Sequence, residues 1–125
     1  MKKILVVDDD EDILFIVRHI LKSRGFIVKT HSSAIGVFKI IADFNPHLVL
    51  LDIMLPGKLG TEICKELKEI KPTLLVILFS ANSEKGNAYP VCHADGFISK
   101  PFDVKDFVHA LNEQFRFKYG QPSVI

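Results

Sequence analysis

Five short β-rich runs alternate with longer amphipathic segments along this chain of 125 residues, and this alternation limits the possible folds more than any other feature. The runs are ILVV (4–7), FIVKT (26–30), LVLL (48–51), LLVILF (74–79) and GFIS (96–99). Three of them are apolar throughout, as is typical of parallel strands covered on both faces, whereas FIVKT contains polar residues as an edge strand can. The alternation of strand and helix predicts βαβ units, and hence a parallel sheet between layers of helices.

Amphipathic spacing predicts helices with one buried face between these strands. The predicted buried residues are Ile13, Ile16, Val17, Ile20 and Leu21 in the first helix, and Ala34, Val37, Phe38, Ile41 and Ala42 in the second. A third helix is predicted after Gly60 and ends before Pro72, with three buried residues: Ile63, Leu67 and Ile70.

The segments that follow the fourth and fifth strands differ in how clearly their sequences predict a helix. Gly86 and Pro90 interrupt residues 82–94, so any helix in that segment is predicted to be short or distorted. The final helix is predicted to have Asp103 as its N-cap and to turn four residues inward, namely Val104, Val108, Leu111 and Phe115.

Composition and charge exclude several classes of protein. A hydrophobic content of 48% fits one compact domain, which we place at residues 1–118, with a C-terminal tail at 119–125. The net charge is +1 and no run of lysine or arginine occurs, so we expect neither a nucleic-acid surface nor a membrane surface. No signal peptide or membrane-spanning run is present, and Cys64 and Cys92 lack metal-ligand spacing, so we expect a cytoplasmic protein with reduced thiols.

Polar side chains follow four of the five predicted strands, at the point where each strand ends. Asp8 and Asp9 follow the first strand, Asp52 follows the third, Ser80 the fourth and Lys100 the fifth. The carboxyl ends of parallel strands share one edge of a sheet, and open α/β sheets bind ligands at that edge. We therefore expect these five side chains to meet on one rim.

The carboxylates on this rim need a positive partner, because each pair repels by roughly 4 kcal/mol at about 4 Å and an effective dielectric constant near 20. Lys100 offsets one charge, and oxygen ligands on an open rim favour Mg²⁺ for the remainder. A carboxylate beside Mg²⁺ and a lysine can attack phosphorus to form an acyl phosphate, and Asp52 at the end of the central strand is best placed to do so. The next acids are explained by capping and the helix dipole instead: Asp10, Glu11 and Asp12.

Four sequence blocks, in this order, resemble the receiver domain of bacterial two-component response regulators: ILVVDDDED (4–12), LVLLDIMLPGKLG (48–60), VILFSA (76–81) and ADGFISKPF (94–102). The resemblance covers almost the whole chain. It implies a flavodoxin-like α/β fold, a doubly wound five-stranded parallel sheet of order 2-1-3-4-5 with helices on both faces. It also implies a phosphoacceptor signalling module that catalyses only its own phosphorylation and dephosphorylation, and not a turnover enzyme on an external substrate.

The resemblance assigns a role to each residue of the rim. Asp52 would accept a phosphoryl group from the phosphohistidine of a sensor histidine kinase or a histidine phosphotransfer protein. Asp8, Asp9 and Asp52, with the main-chain carbonyl of Met54, would bind Mg²⁺. Ser80 and Lys100 would bind the phosphoryl oxygens.

The resemblance further implies a conformational switch. Phosphorylation would draw Ser80 toward the phosphoryl group and let the family's switch aromatic, here Phe97, turn into the vacated space. The face formed by residues 82–94, the last strand and the last helix would then bind an unknown downstream protein or a second copy of the chain. The bond between Lys100 and Pro101 is a candidate cis peptide.

Other functions have weaker support from the residues. A Mg²⁺-dependent phosphatase acting on a small molecule usually needs a general acid two positions beyond the nucleophile, and Met54 cannot donate a proton. A flavodoxin-like FMN binder needs a hydroxyl-rich phosphate loop after the first strand, where the acidic run from Asp8 would repel the phosphate. A receiver-like interaction module that works without phosphorylation remains the alternative.

Overall fold

The computed structural model of the chain describes residues 2–80 and 92–120. Its strands are β1 (Lys3–Val7), β2 (Ile27–His31), β3 (Leu48–Asp52), β4 (Leu75–Ser80) and β5 (Gly96–Ser99). Its helices, within these described residues, are α1 (Glu11–Ser23), α2 (Val37–Phe44), α3 (Gly60–Ile70) and α4 (Val104–Tyr119). The predicted short helix at 82–94 lies almost entirely outside the described residues.

All pairings in the sheet are parallel, and the strand order is β2-β1-β3-β4-β5. This confirms the predicted fold, including β2 as an edge strand. All residues of β3 and β4 are buried, because helices cover both faces of the sheet centre. The central strands therefore hold the residues at their carboxyl ends in a rigid frame.

Two hydrophobic clusters form the core, one on each face of the sheet. Side chains alternate between the two faces along each strand, so Ile4 and Val6 of β1 join one cluster while Leu5 and Val7 join the other. The first cluster packs α1 and α4 on the sheet, and the second packs α2 and α3. Cys64 and Cys92 are both buried in the second cluster, and no disulfide joins them.

Helices α1 and α2 bury slightly different residues from those predicted. In α1, Leu14 is buried and Ile16 is 48% exposed, so the buried face is rotated toward Leu14, Val17 and Leu21. In α2, Gly36 has φ 78 and the helix begins only at Val37, which leaves Ala34 outside it. Ala42 is exposed, since Val37 and Ile41 define the buried side.

Helix ends account for two further wrong predictions of burial. Ile70 is the last residue of α3 and is 66% exposed, and Val104 is the first residue of α4 and is 42% exposed. Both residues keep the apolar spacing of their helices but lie beyond the sheet that the helices cover. Phe107, which was not predicted to be buried, is fully buried in α4.

Side-chain caps fix the starts of α1 and α4 as predicted. Asp10 accepts hydrogen bonds from the N–H groups of Asp12 and Ile13, and Asp103 accepts one from the N–H of Lys105. At its other end α4 runs to Tyr119, which was predicted to start the tail; residues 121–125 lie outside the described residues. No helix within the described residues has both the length and the apolar character needed to cross a membrane.

Candidate functional site

The carboxyl ends of four strands place Asp8, Asp52, Ser80 and Lys100 on one edge of the sheet. Asp8 directly follows β1, and its N–H donates to the carbonyl of His31 at 3.1 Å. Ser80 and Asp52 end β4 and β3, and the N–H of Lys100 donates to the carbonyl of Ser80 at 2.9 Å. The backbone hydrogen bonds of the sheet thus continue one residue past its strands and fix this rim.

Lys100 joins the two buried carboxylates of the rim. Its Nζ lies 2.6 Å from Oδ2 of Asp8 and 3.8 Å from Oδ2 of Asp52. Asp8 is fully buried, and the side chains of Lys100 and Asp52 are 15% and 8% exposed. A single ammonium group therefore compensates two carboxylates in a site that water barely reaches, and one negative charge stays in excess.

A third carboxylate, Asp9, completes an acidic cluster. One carboxylate oxygen each from Asp8, Asp9 and Asp52 lies within 4.8 Å of the others. Asp9 is exposed, whereas the other two are buried, so the cluster opens to solvent on one side. Three hard oxygen donors, an excess of negative charge and an open side fit Mg²⁺, which keeps several of its waters.

The ionisation of Asp52 reflects the same surroundings. Burial, and after it the Asp8 carboxylate, raise the pKa of its carboxyl from 3.8 to about 6, although Lys100 opposes the increase. The N–H of Met54 donates to Oδ1 of Asp52 at 3.3 Å, which also favours the charged form. An ionised Asp52 is therefore costly at neutral pH, and a cation or an electrophile at the site would relieve that cost.

The other three predicted site residues are Met54, which follows β3, Phe97, which lies within β5, and Pro101, which follows Lys100. The side chain of Met54 is exposed, so its contact with Asp52 is made by the backbone alone. Phe97 is partly buried against the second core cluster and pairs with Leu78, two residues before the pairing of Ser99 with Ser80. The Lys100–Pro101 bond is cis.

Two residues that support the site were not predicted from the sequence. A Cβ at Gly60 would lie 2.1 Å from the carbonyl oxygen of Asp52, so only glycine allows α3 to start this close to the end of β3. Phe79 lies beneath Lys100, with its ring centroid 4.5 Å from Nζ. The glycine that ends the block LVLLDIMLPGKLG was a usable signal for Gly60, but an apolar strand residue such as Phe79 carries no signal of its own.

Comparison with known proteins identifies the family. The sequence model of the response regulator receiver domain matches residues 4–112, which include every residue of the rim. The chain belongs to this family. Receiver domains are signalling modules of two-component systems and bind Mg²⁺ at their acidic pocket.

Solved structures of receiver domains share this fold. A CheY-like receiver domain protein from Methanospirillum hungatei JF-1 is 29% identical with a TM-score of 0.89, covering 96% of this chain and 98% of that one. The response regulator TrrA from Thermotoga maritima, in complex with Mg²⁺-BeF, is 29% identical with a TM-score of 0.85, covering 90% and 98%. NtrX from Brucella abortus is 32% identical with a TM-score of 0.88, covering 94% of this receiver domain but only 28% of NtrX.

Proposed function

We propose that this receiver domain accepts a phosphoryl group on Asp52 from the phosphohistidine of a sensor histidine kinase or a histidine phosphotransfer protein, and that this changes its protein-binding face. The observation that carries the proposal is the position of Lys100, whose Nζ contacts both buried carboxylates of the rim, 2.6 Å from Asp8 and 3.8 Å from Asp52. Because Lys100 and Asp8 are 92 residues apart in the chain, this arrangement is a product of the whole fold.

The transfer needs little chemistry from the protein beyond placement and charge. An oxygen of the Asp52 carboxylate forms a bond to phosphorus as the bond from phosphorus to the histidine nitrogen breaks, and the leaving imidazole takes up a proton. Lys100 neutralises charge on the phosphoryl oxygens, and Ser80 hydrogen-bonds to one of them. Water later attacks the phosphorus, which releases phosphate and restores the carboxylate of Asp52.

The acidic cluster makes the reaction dependent on a divalent cation. Asp8, Asp9 and Asp52, with the main-chain carbonyl of Met54, are the groups that would hold Mg²⁺. When bound, Mg²⁺ supplies positive charge to the transferring oxygens and reduces their repulsion from the carboxylates. TrrA, which is similar over 90% of this chain, was solved with Mg²⁺-BeF.

The response to phosphorylation starts from two residues of the neighbouring strands β4 and β5. Ser80 ends β4 and Phe97 lies in β5, where it packs against the second core cluster. Movement of Ser80 toward the phosphoryl group leaves space into which the Phe97 ring can turn. Phenylalanine has no hydroxyl group, so the change of binding face depends on packing and not on a new hydrogen bond from this ring.

Loading with a small phosphodonor tests the proposal. Incubation with acetyl phosphate and Mg²⁺ should add one phosphoryl group, measured by intact mass, and Asp52→Asn should abolish the addition. Asp9→Asn should slow it, and EDTA should prevent it. Asp12→Asn is the matched control, because Asp12 is an exposed acid in the first turn of α1 and should load like the wild type.

Two results would contradict the proposal. Loading of Asp52→Asn at the wild-type rate would place the phosphoryl group elsewhere. Failure of the wild type to respond to both acetyl phosphate and beryllofluoride with Mg²⁺ would favour an interaction module that works without phosphorylation. Amide spectra measured with beryllofluoride separate a switch from a passive carrier. The signals of Ser80 and Lys100 report binding at the rim, and only a switch also changes the signal of Phe97, which lies outside the rim.

A further inference from the structure

The ammonium group of Lys100 is bounded on one side by an aromatic ring. Nζ lies 4.5 Å from the ring centroid of Phe79, in addition to its contacts with Asp8 and Asp52. A cation within about 6 Å of a ring face is attracted by the negative charge of the π system. With a Lys100 side chain that is only 15% exposed, this attraction acts where water screens it little.

The ring of Phe79 is held firmly in place. Phe79 is fully buried in the first core cluster, under α1 and α4. In the sheet it lies between Asp52 of β3 and Ile98 of β5, and its carbonyl accepts a hydrogen bond from the N–H of Ile53 at 3.4 Å. The ring is thus a fixed surface, whereas the lysine side chain above it has four rotatable carbon bonds.

A fixed ring beneath a flexible lysine reduces the entropy that Lys100 loses when it binds an anion. A lysine side chain that is free to rotate loses conformational entropy when it is ordered. The buried ring attracts the ammonium group and, together with the ion pair to Asp8, holds Nζ at the rim before any ligand arrives, so part of this entropy is already lost in the free protein. An aliphatic residue of similar size would fill the space but would not attract the charge.

We propose that Phe79 is a positioning residue, which holds the ammonium group of Lys100 at the phosphoacceptor site through a cation–π contact. The inference rests on the proposed function, since it assigns Lys100 to the binding of phosphoryl oxygens. Phe79 itself contacts no reacting atom and acts only through Lys100. We therefore expect the electron density of the Phe79 ring, and not only its volume, to affect phosphoryl binding.

Fluorinated phenylalanines at position 79 test this directly. Mono-, di- and trifluorophenylalanine withdraw electron density from the ring in steps while leaving its shape nearly unchanged. Phe107 is the matched control, because it is fully buried in the same core cluster but stacks on Phe102, with ring centroids 4.7 Å apart. The same fluorinated residues placed at position 107 report any general effect on the core.

Two measurements are made on each variant. NMR relaxation of the Lys100 side chain, measured without Mg²⁺, should show increasing motion as fluorine is added at position 79. The dissociation constant of beryllofluoride in saturating Mg²⁺ should rise in parallel, by up to about tenfold, which corresponds to about 1.4 kcal/mol. Fluorination at position 107 should change neither measurement, and unfolding by urea should be similar for the two series.

Each outcome supports or overturns the inference. A graded response at position 79 with none at position 107 supports it. Equal Lys100 mobility and equal affinity across the position 79 series, in a wild-type background that binds beryllofluoride, overturn it and leave the proposed function intact. A wild type that does not bind beryllofluoride at all contradicts the proposed function instead.

Discussion

Replacing Asp52 by asparagine should stabilise the protein when divalent cations are absent. The carboxyl of Asp52 is buried beside the fully buried Asp8. Within the part of the chain that the structure describes, both carboxylates form an ion pair with the same cation, Lys100. Asparagine has nearly the same shape, and its side-chain oxygen can still accept the hydrogen bond from the N–H of Met54. The substitution therefore removes the excess charge and little else.

The size of the effect follows from the pKa of Asp52, which folding raises from 3.8 to about 6. Near pH 7.5 the carboxyl is ionised in both the folded and the unfolded chain, so the full cost of burying its charge is present. That cost is about 3 kcal/mol, at about 1.4 kcal/mol for each pKa unit. This pKa already includes the attraction to Lys100 at 3.8 Å. The site is open to solvent beside the exposed Asp9, which screens part of the cost, so we expect a net gain of about 1 to 2 kcal/mol.

Urea denaturation near pH 7.5 measures this difference. In EDTA, Asp52→Asn should unfold at a higher urea concentration than the wild type with an unchanged slope. Added Mg²⁺ should stabilise the wild type by mass action and the variant much less, so the two curves should approach each other. Asp12→Asn should show only the small loss of its helix-dipole interaction, and the loss should be the same in both conditions. A variant that is less stable than the wild type in EDTA would refute the view that excess charge strains this rim.

Three further predictions concern residues that support the fold. Gly60→Ala should destabilise the fold by about 2 to 3 kcal/mol and slow phosphorylation, as measured by urea denaturation and intact mass, because its Cβ would lie 2.1 Å from the carbonyl oxygen of Asp52. The pKa of His47 is lowered from 6.5 by burial and then by nearby lysines, and its Nδ1 accepts from the N–H of Lys3 at 2.9 Å. The contribution of His47 to stability should thus be complete above pH 6.5 and fall as the pH drops below that value. His47→Asn should make the melting temperature depend less on pH in this range. A variant whose melting temperature falls as steeply as that of the wild type would contradict this prediction. Asp103→Ala should cost about 1 kcal/mol in urea denaturation by removing the cap of α4, with no change in phosphoryl loading.

The strands and the rim could be predicted because both depend on local patterns and on one rule of topology. Runs such as LVLL mark strands wherever they occur, and parallel strands bring the residues that follow them to one edge. The meeting of Asp8, Asp52 and Lys100 follows from these two facts without knowledge of any distance. The caps by Asp10 and Asp103 were equally predictable, since they depend on residues within one helical turn.

Burial at helix ends and the contact between Phe79 and Lys100 could not be predicted in this way. Apolar spacing shows which side of a helix is apolar, but not how far the helix extends past the sheet, which is why Ile70 and Val104 are exposed. The contact of Phe79 with Lys100 joins a residue of β4 to the residue that follows β5. Nothing in either residue's local sequence sets the distance between them.

The ion pair between Lys100 and Asp8 spans almost the entire length of the domain, since 92 positions separate the two residues. During synthesis, Asp52 emerges from the ribosome well before Lys100, yet it lacks its counter-charge until β5 has docked beside β4. Under the proposed function, an incomplete or partly unfolded chain consequently presents Asp52 without the lysine that we assign to phosphoryl binding. Sensor kinases would then transmit signals only to finished molecules, and damaged or truncated copies would stay silent without any separate means of recognising them.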